Sequence, residues 1–328
     1  MPGWKSVQSK KKLKQKTKLA FIVLGLVIIL LLLSQAFKFY KTLNSAWKAP
    51  TTKNYNWNRE FNINLLIRAK NLSFLSYNPS QGKINLVDIL DQTFVEAAHS
   101  FGKWQARALF DLGGDSLLKD TMADFFGQPV DAILEASGNL KNKSAREIVD
   151  ILRQDLFASF KILPDLKTDL TLMELIKLKL SISSVRFDKF IIVDLYERQV
   201  LQKSKLPDGT EVLVADPNKL DLALVDLADP LIKKEHKTIA ILNATSKPLF
   251  AQKWARVITN IGGDVIITAN AQKKLDKTIA AGEASKTLER LKQILNIKCE
   301  DCDKIIKSDE DFASSRGQIN IKLAPDLN

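Results

Sequence analysis

Two aspartates and one lysine are the first candidates for a cation-binding or phosphate-binding site in this 328-residue sequence. Asp88 and Asp91 bracket the end of a segment in which apolar and polar residues alternate, and their oxygens can bind a divalent cation there. A carboxylate pair that simply faces solvent is the alternative, and it predicts no bound ion. Lys70 lies in a preceding loop, where its ammonium group either contacts a phosphate as a point charge or remains exposed.

Two arginines extend this set. Arg153 lies within a predicted helix and Arg186 follows another one. A guanidinium group can bind a phosphate or a carboxylate through two parallel hydrogen bonds, which makes both residues weak catalytic candidates alongside Asp88 and Asp91. Arginine is also common on helix surfaces, so plain solvent exposure is the alternative.

The sequence contains few other motifs typical of catalytic, nucleotide-binding or metal-binding sites. The sequence has two histidines, and it contains neither a P-loop nor a GxGxxG motif. Cys299 and Cys302 form a single CxxC pair, without the second pair of ligands that a structural zinc site needs. Two interpretations stay open for these cysteines, a local disulfide bond and an incidental pair.

Strands and helices that alternate along the chain position these residues. Apolar or alternating segments at 61–67, 72–77 and 83–89 predict three strands, and the turn residues at 78–82 join the last two in a hairpin. A glycine pair at 113–114 precedes a predicted helix. Further helices are predicted at 148–160 and 168–178, and another strand at 187–195. This order predicts a layered α/β domain over residues 59–230.

A second and smaller α/β domain is predicted over residues 237–328. Strand patterns occur at 238–243, 264–269 and 318–323, and helical periodicity occurs after Pro248 and over 285–296.

The N-terminal region predicts a membrane anchor. Residues 1–18 hold seven lysines and no acid, and the nineteen residues Leu19–Phe37 carry no charge. A helix of that length spans about 28 Å, close to the thickness of a bilayer core. The lysines predict a cytoplasmic N-terminus, a juxtamembrane spacer at 38–58 and folded domains outside the membrane. A cleaved signal peptide is the alternative, because Ser34-Gln-Ala36 resembles a cleavage site.

The charge balance argues against a nucleic-acid partner. The formal net charge is +12, but seven of the positive charges belong to the lysine-rich tail. The folded part is therefore only mildly basic, whereas a nucleic-acid-binding domain carries a basic face.

Particular motifs resemble the LytR-CpsA-Psr family, which attaches cell-wall glycopolymers to peptidoglycan. Leu72-Ser-Phe-Leu-Ser-Tyr-Asn-Pro79 and the segment 83–95 are similar to the opening of its catalytic core. The Gly113-Gly114 helix and the segment 169–175 follow in the family's order. Residues 238–323 are similar to the LytR C-terminal domain.

The resemblance also implies a set of side chains that bind the family's cation and pyrophosphate. This chain has different residues at those positions. Family members carry an aspartate in the first motif and an Arg-Asp pair after the second strand, and these groups hold a divalent cation and a polyprenyl pyrophosphate. The corresponding positions here are Lys70, Asp91 and Gln92. Lys70 and Gln92 are therefore the implied ligand-binding positions, and Mg²⁺ is implied only if the family activity is retained.

We therefore expect a single-pass protein of the bacterial plasma membrane that binds a polyprenyl-linked glycopolymer or peptidoglycan without catalysis. The alternative is an active phosphotransferase that moves a glycopolymer from a polyprenyl pyrophosphate carrier to the cell wall. Its charged groups would then come from Asp88, Asp91, Arg153 and Arg186.

Overall fold

The computed structural model describes residues 55–154, 162, 165–297 and 310–327 without 314, together with residues 21–34 without 22 and 32. The chain divides into two units, Met1–Lys48 and Ala49–Asn328. The described residues of the first unit are helical. Across the described parts of the chain, no helix is both long enough and apolar enough to cross a membrane. The predicted span Leu19–Phe37 includes residues outside that description and stays a prediction.

The described strands of the second unit form three sheets. The strands are β1 (Ile63–Arg68), β2 (Leu72–Asn78), β3 (Lys83–Ile89), β4 (Thr93–Ala97), β5 (Gly102–Gln105), β6 (Ala132–Ala136), β7 (Leu166–Thr168), β8 (Phe190–Val193), β9 (Leu201–Lys205), β10 (Glu211–Ala215), β11 (Thr238–Asn243), β12 (Asp264–Asn270), β13 (Ile279–Gly282) and β14 (Ile319–Leu323). The central sheet has the order β7-β6-β1-β2-β3-β8, the second sheet β5-β4-β10-β9 and the C-terminal sheet β12-β11-β14-β13.

Helices cover these sheets. They are α1 (Leu109–Phe126), α2 (Ala145–Arg153), α3 (Leu172–Ser183), α4 (Pro217–Ala223), α5 (Pro230–Glu235), α6 (Phe250–Asn260), α7 (Lys286–Ile294) and α8 (Glu310–Ala313). Short 3-10 helices lie at Ala106–Ala108, Gly138–Leu140, Phe187–Lys189, Val225–Leu227 and Pro325–Leu327. The α/β fold class predicted from the sequence is confirmed for the described residues.

The predicted hairpin is confirmed. Strands β2 and β3 pair antiparallel, with Leu72 opposite Ile89 and Asn78 opposite Lys83. Gly82 in the connecting turn has φ +56°, a left-handed conformation that a glycine adopts without steric cost.

One face of the central sheet packs against α1 and the second sheet. Phe74 of β2 lies 4.4 Å from Phe126 of α1 between ring centroids, and both side chains are buried. Leu118, Met122 and Phe126 follow one another at four-residue spacing, which places them on one side of the helix. Each such buried side chain contributes about 1.5–3 kcal/mol.

The glycine pair at 113–114 divides α1 into a short first segment and the longer helix that follows. Gly114 has φ +69°, and together with Gly113 it interrupts the helical backbone before the helix continues to Phe126. Gly127 follows with φ +57° and ends the helix as expected. The predicted helix after the glycine pair is confirmed, because helical backbone resumes after Gly114. The short helical segment before the pair was not predicted.

Side-chain caps fix the start of α2. Ser144 Oγ accepts a hydrogen bond from the Glu147 backbone N–H at 3.3 Å, and the Glu147 carboxylate accepts one from the Ser144 N–H at 2.7 Å. This capping box starts the helix three residues before the predicted position 148. Residues 155–160 of the predicted helix lie outside the described residues.

Two ion pairs that are partly shielded from solvent join the two predicted domains within the second unit. Arg290 of α7 donates hydrogen bonds to the Asn62 carbonyl oxygen at 3.1 Å and to the Asp131 carboxylate at 3.1 Å. Arg256 of α6 bonds Asp221 at 2.7 Å. The predicted ranges 59–230 and 237–328 thus lie in one compact unit, and their boundary stays a prediction.

Candidate functional site

The strands bring several of the predicted residues to one edge of the central sheet. Strand β1 is parallel to β6, β3 is parallel to β8, and β2 runs antiparallel to both β1 and β3. The carboxyl ends of β1, β3, β6 and β8 therefore meet at the same edge. Open α/β sheets bind ligands at such an edge. We call this region, defined by Arg68, Asp88, Asp91, Gln92 and Glu135, the carboxyl edge.

Arg68 ends β1 at the centre of the carboxyl edge and was not among the residues predicted from the sequence. It forms an ion pair with Glu135 of the neighbouring β6, and both side chains are half-buried. Its guanidinium carbon lies 3.4 Å from the centre of the Phe110 ring. Its Nε is buried without a hydrogen-bond partner among the described residues. A charged residue at the end of the apolar run of β1 was the sequence signal that could have identified it.

Asp91 faces an arginine instead of a cation site. Arg107 Nη1 donates to Asp91 Oδ2 at 2.7 Å, and the Gln105 side chain donates to the Asp91 carbonyl oxygen. Gln92 is exposed, and its carbonyl oxygen accepts a hydrogen bond from the Leu213 N–H at 3.0 Å. The position of the family's arginine thus holds a carboxylate that is itself paired with an arginine.

Asp88 lies on the opposite face of β3 from the α1 core. Its neighbours Val87 and Ile89 pack into that core, and successive side chains of a strand alternate between faces. Ser73 Oγ donates to Asp88 Oδ1 at 2.6 Å.

The carboxylates of this edge do not fit a Mg²⁺ site. Among the described residues, no group of three or more His, Cys, Asp or Glu side chains is placed to hold a metal ion. Asp91 and Glu135 are engaged by arginines, and Asp88 accepts a hydroxyl hydrogen bond. We therefore derive no reaction step through a metal at this edge.

Lys70 lies in the turn between β1 and β2, beside the start of α2. Its side chain is exposed, and its backbone N–H donates to the Lys143 carbonyl oxygen at 3.1 Å. The pKa of nearby Glu147 is lowered by hydrogen bonds from Ser144 and, more weakly, by the charges of Lys143 and Lys70.

Arg153 and Arg186 lie toward the other end of the central sheet. Arg153 Nη2 donates to the Val185 carbonyl oxygen at 2.8 Å, and its guanidinium carbon is 5.7 Å from the centre of the Phe190 ring. Phe190 pairs with Ile84, four residues before Asp88 and thus about 13 Å along the strand. Arg186 is 80% exposed and pairs with Asp188 at 3.0 Å. The structure does not bring these arginines together with Asp88 and Asp91.

The structure does not test the prediction made for the two cysteines. Cys299 and Cys302 lie outside the described residues, so the possible disulfide bond stays a prediction.

Comparison with known proteins gives structural similarity alone. No protein-family model matches this chain, and no curated protein sequence matches it. TagT of Bacillus subtilis is 14% identical, with a TM-score of 0.39 and coverage of 55% of this chain and 95% of TagT. A transcriptional regulator from Enterococcus faecalis is 12% identical, with a TM-score of 0.40 and coverage of 51% and 85%.

A further similar structure carries a ligand. It is the LytR-CPS2A-psr family protein YwtF (TagT) with bound octaprenyl pyrophosphate lipid, 14% identical, with a TM-score of 0.38 and coverage of 55% of this chain and 95% of that one. Because these identities and TM-scores are low, we base the function on the residues of this chain. The likeness of residues 237–328 to the LytR C-terminal domain stays a prediction. The family whose motifs the sequence resembles is thus represented among the solved structures similar to this chain.

Proposed function

We propose that this protein binds a cell-wall glycopolymer, or its polyprenyl-linked precursor, without transferring it. The resemblance of the segments 72–79 and 83–95 to the LytR-CpsA-Psr core supports the ligand class. The altered charges within the same segments support the loss of catalysis.

The pairing of Asp91 with Arg107 is the observation that carries this proposal. A pyrophosphate leaving group gains negative charge, so a transfer site must present donors whose charge is not already neutralised. Here Arg107 faces Asp91 at 2.7 Å, and Arg68 faces Glu135. Both arginines of the carboxyl edge are therefore neutralised by the chain itself.

We also propose that residues 19–37 anchor the protein in the bacterial plasma membrane. The support is the uncharged run beside seven lysines, which favours a cytoplasmic N-terminus and folded residues outside.

An active phosphotransferase is the second candidate. Two arginines, Arg68 and Arg107, do lie near the carboxyl edge, and the buried Nε of Arg68 has no partner among the described residues. A bound pyrophosphate would have to displace Glu135 and Asp91 from these arginines.

Equilibrium binding by the full chain in detergent micelles tests the proposal. The probes are a polyprenyl-pyrophosphate-linked oligosaccharide and the same oligosaccharide without its lipid, each measured with Mg²⁺ and with a chelator. We expect binding that is independent of Mg²⁺. Binding that requires Mg²⁺ would favour the phosphotransferase, and absence of binding to both probes would refute the glycopolymer proposal.

A further inference from the structure

A cleft separate from the carboxyl edge lies where the N-terminal and C-terminal parts of the second unit meet. Its volume is about 260 Å³, slightly below the range of about 300–1,000 Å³ for ligand pockets. We call it the junction cleft; its polar walls are formed by His99, Lys119, Asp124, Lys247, Lys253 and Trp254. Pockets between domains are a preferred location for small-molecule sites.

The cleft combines an apolar floor with an aromatic wall. Phe250 and Val257 of α6 line it and are buried. Val130, two residues before β6, and Ile294 of α7 also line it. A sugar ring presents an apolar face of C–H groups and an edge of hydroxyl groups. The floor suits that face, and the polar walls suit the hydroxyls.

Trp254 has an unused hydrogen-bond donor. The residue lines the junction cleft, and its indole Nε1 is buried without a partner among the described residues. Buried donors in proteins are nearly always satisfied, so an unpaired one requires an explanation. Because this nitrogen is buried, the indole would have to rotate before an acceptor oxygen of a ligand in the cleft could become its partner.

Lys247 differs from the other lysines that line the cleft, which are paired with carboxylates. Lys253 pairs with Asp124 at 2.7 Å, Lys119 pairs with Asp169, and His99 contacts Asp120 at 2.9 Å. Within the described residues, the Lys247 side chain has neither an ion pair nor a hydrogen bond. A free ammonium group beside a partly enclosed cavity attracts an anionic group such as a phosphate.

We propose that the junction cleft binds a phosphate-bearing monosaccharide unit, with the sugar on the floor near Trp254 and the phosphate at Lys247. This site goes beyond the proposed function. It shares with that function only the class of ligand, since such a unit can be a free sugar phosphate or a residue of a phosphate-containing glycopolymer.

Calorimetric titration of the full chain in detergent micelles tests this proposal. The probes are N-acetylglucosamine 1-phosphate, N-acetylglucosamine and inorganic phosphate. We expect the sugar phosphate to bind more tightly than either fragment, because it uses the floor and Lys247 together. Absence of sugar phosphate binding, or equal binding of the neutral sugar, would overturn the proposal.

Two variants locate the site. Lys247→Ala removes the free cation and should weaken sugar phosphate binding about tenfold, the effect of one charge-assisted hydrogen bond. Trp254→Phe keeps an aromatic ring but removes the N–H, and it should weaken binding about fivefold. The matched control Lys205→Ala changes an exposed lysine of β9 and should bind as wild type. Wild-type affinity in both cleft variants would contradict the assignment.

A parallel titration with the polyprenyl-pyrophosphate-linked oligosaccharide separates this inference from the proposed function. Sugar phosphate binding that Lys247→Ala weakens supports the cleft, even if the lipid-linked oligosaccharide fails to bind. Binding of that oligosaccharide unchanged by Lys247→Ala, together with no sugar phosphate binding, supports the proposed function and overturns the cleft.

Discussion

The carboxyl edge and the junction cleft differ in whether their arginine and lysine side chains are paired with carboxylates of the same chain. At the carboxyl edge, Arg68 and Arg107 each face a carboxylate of the same chain. In the junction cleft, Lys247 has no such partner within the described residues, and the Trp254 indole has no acceptor. The number of cations is therefore a poor guide to ligand binding, since what matters is whether their charge and hydrogen bonds remain available.

The largest expected effect comes from loosening the junction that forms the cleft. Arg290 is 8% exposed and is bonded to Asp131 and to the Asn62 carbonyl oxygen. Arg290→Ala leaves Asp131 without its cation and should lower the free energy of unfolding by about 3 kcal/mol. Urea denaturation measures this loss, with Arg290→Lys as a control that keeps the charge. The comparison also predicts that Arg290→Ala binds sugar phosphate more weakly than the wild type. An unchanged free energy of unfolding would contradict the claim that Arg290 stabilises this junction.

A smaller effect should follow from freeing a cation at the carboxyl edge. Asp91→Asn removes the carboxylate that neutralises Arg107, so affinity for a polyprenyl pyrophosphate analogue should rise about tenfold. The pair is exposed, and stability should change by less than about 1 kcal/mol. Asp188→Asn is the matched control, because Asp188 is paired with an exposed arginine, Arg186, at 3.0 Å and lies away from the carboxyl edge. Equal affinity of the Asp91→Asn variant and the wild type would show that neutralisation by Asp91 does not limit binding.

The smallest effect concerns the dependence of stability on pH. Burial raises the pKa of Asp124, although the charges of Lys253 and Arg256 oppose this and that of Asp120 adds to it. The folded state then holds the proton more strongly than the unfolded state. Stability is therefore lost as the pH rises from the ordinary aspartate pKa through the raised one.

Asp124→Asn should flatten this decline, as measured by unfolding at a series of pH values between the acidic and neutral ranges. Burial also raises the pKa of Asp229, so part of the slope should remain in the variant. A steeper decline in Asp124→Asn than in the wild type would contradict the assignment.

Local patterns in the sequence predicted the regular parts of the fold. The alternation in 83–89 identified β3 and its hairpin partner, and the apolar run at 238–243 identified β11. The second sheet was not predicted, because β4 and β5 are short and β10 joins them only through a parallel pairing that is distant in sequence. Such strands depend on tertiary contacts more than on their own periodicity.

The candidate sites were harder to predict for a related reason. Asp91 was predicted from its position after a strand, but its partner Arg107 lies sixteen positions away in a 3-10 helix and was not predicted. Sequence positions alone do not measure how far Arg153 and Arg186 lie from Asp88 and Asp91, and the strand register places both arginines near the start of β8. The junction cleft joins Lys119 to Lys247, and no local pattern predicts that two such distant segments meet.

A transfer assay tests the central claim about the carboxyl edge most directly. The full chain is incubated in detergent with a polyprenyl-pyrophosphate-linked oligosaccharide, peptidoglycan and Mg²⁺, and mass spectrometry measures the oligosaccharide attached to the wall material. The paired arginines predict no attachment above the protein-free control. Attachment that requires Mg²⁺ and is lost in both Arg68→Ala and Arg107→Ala would contradict the account, because it would show that these arginines release their carboxylates for catalysis.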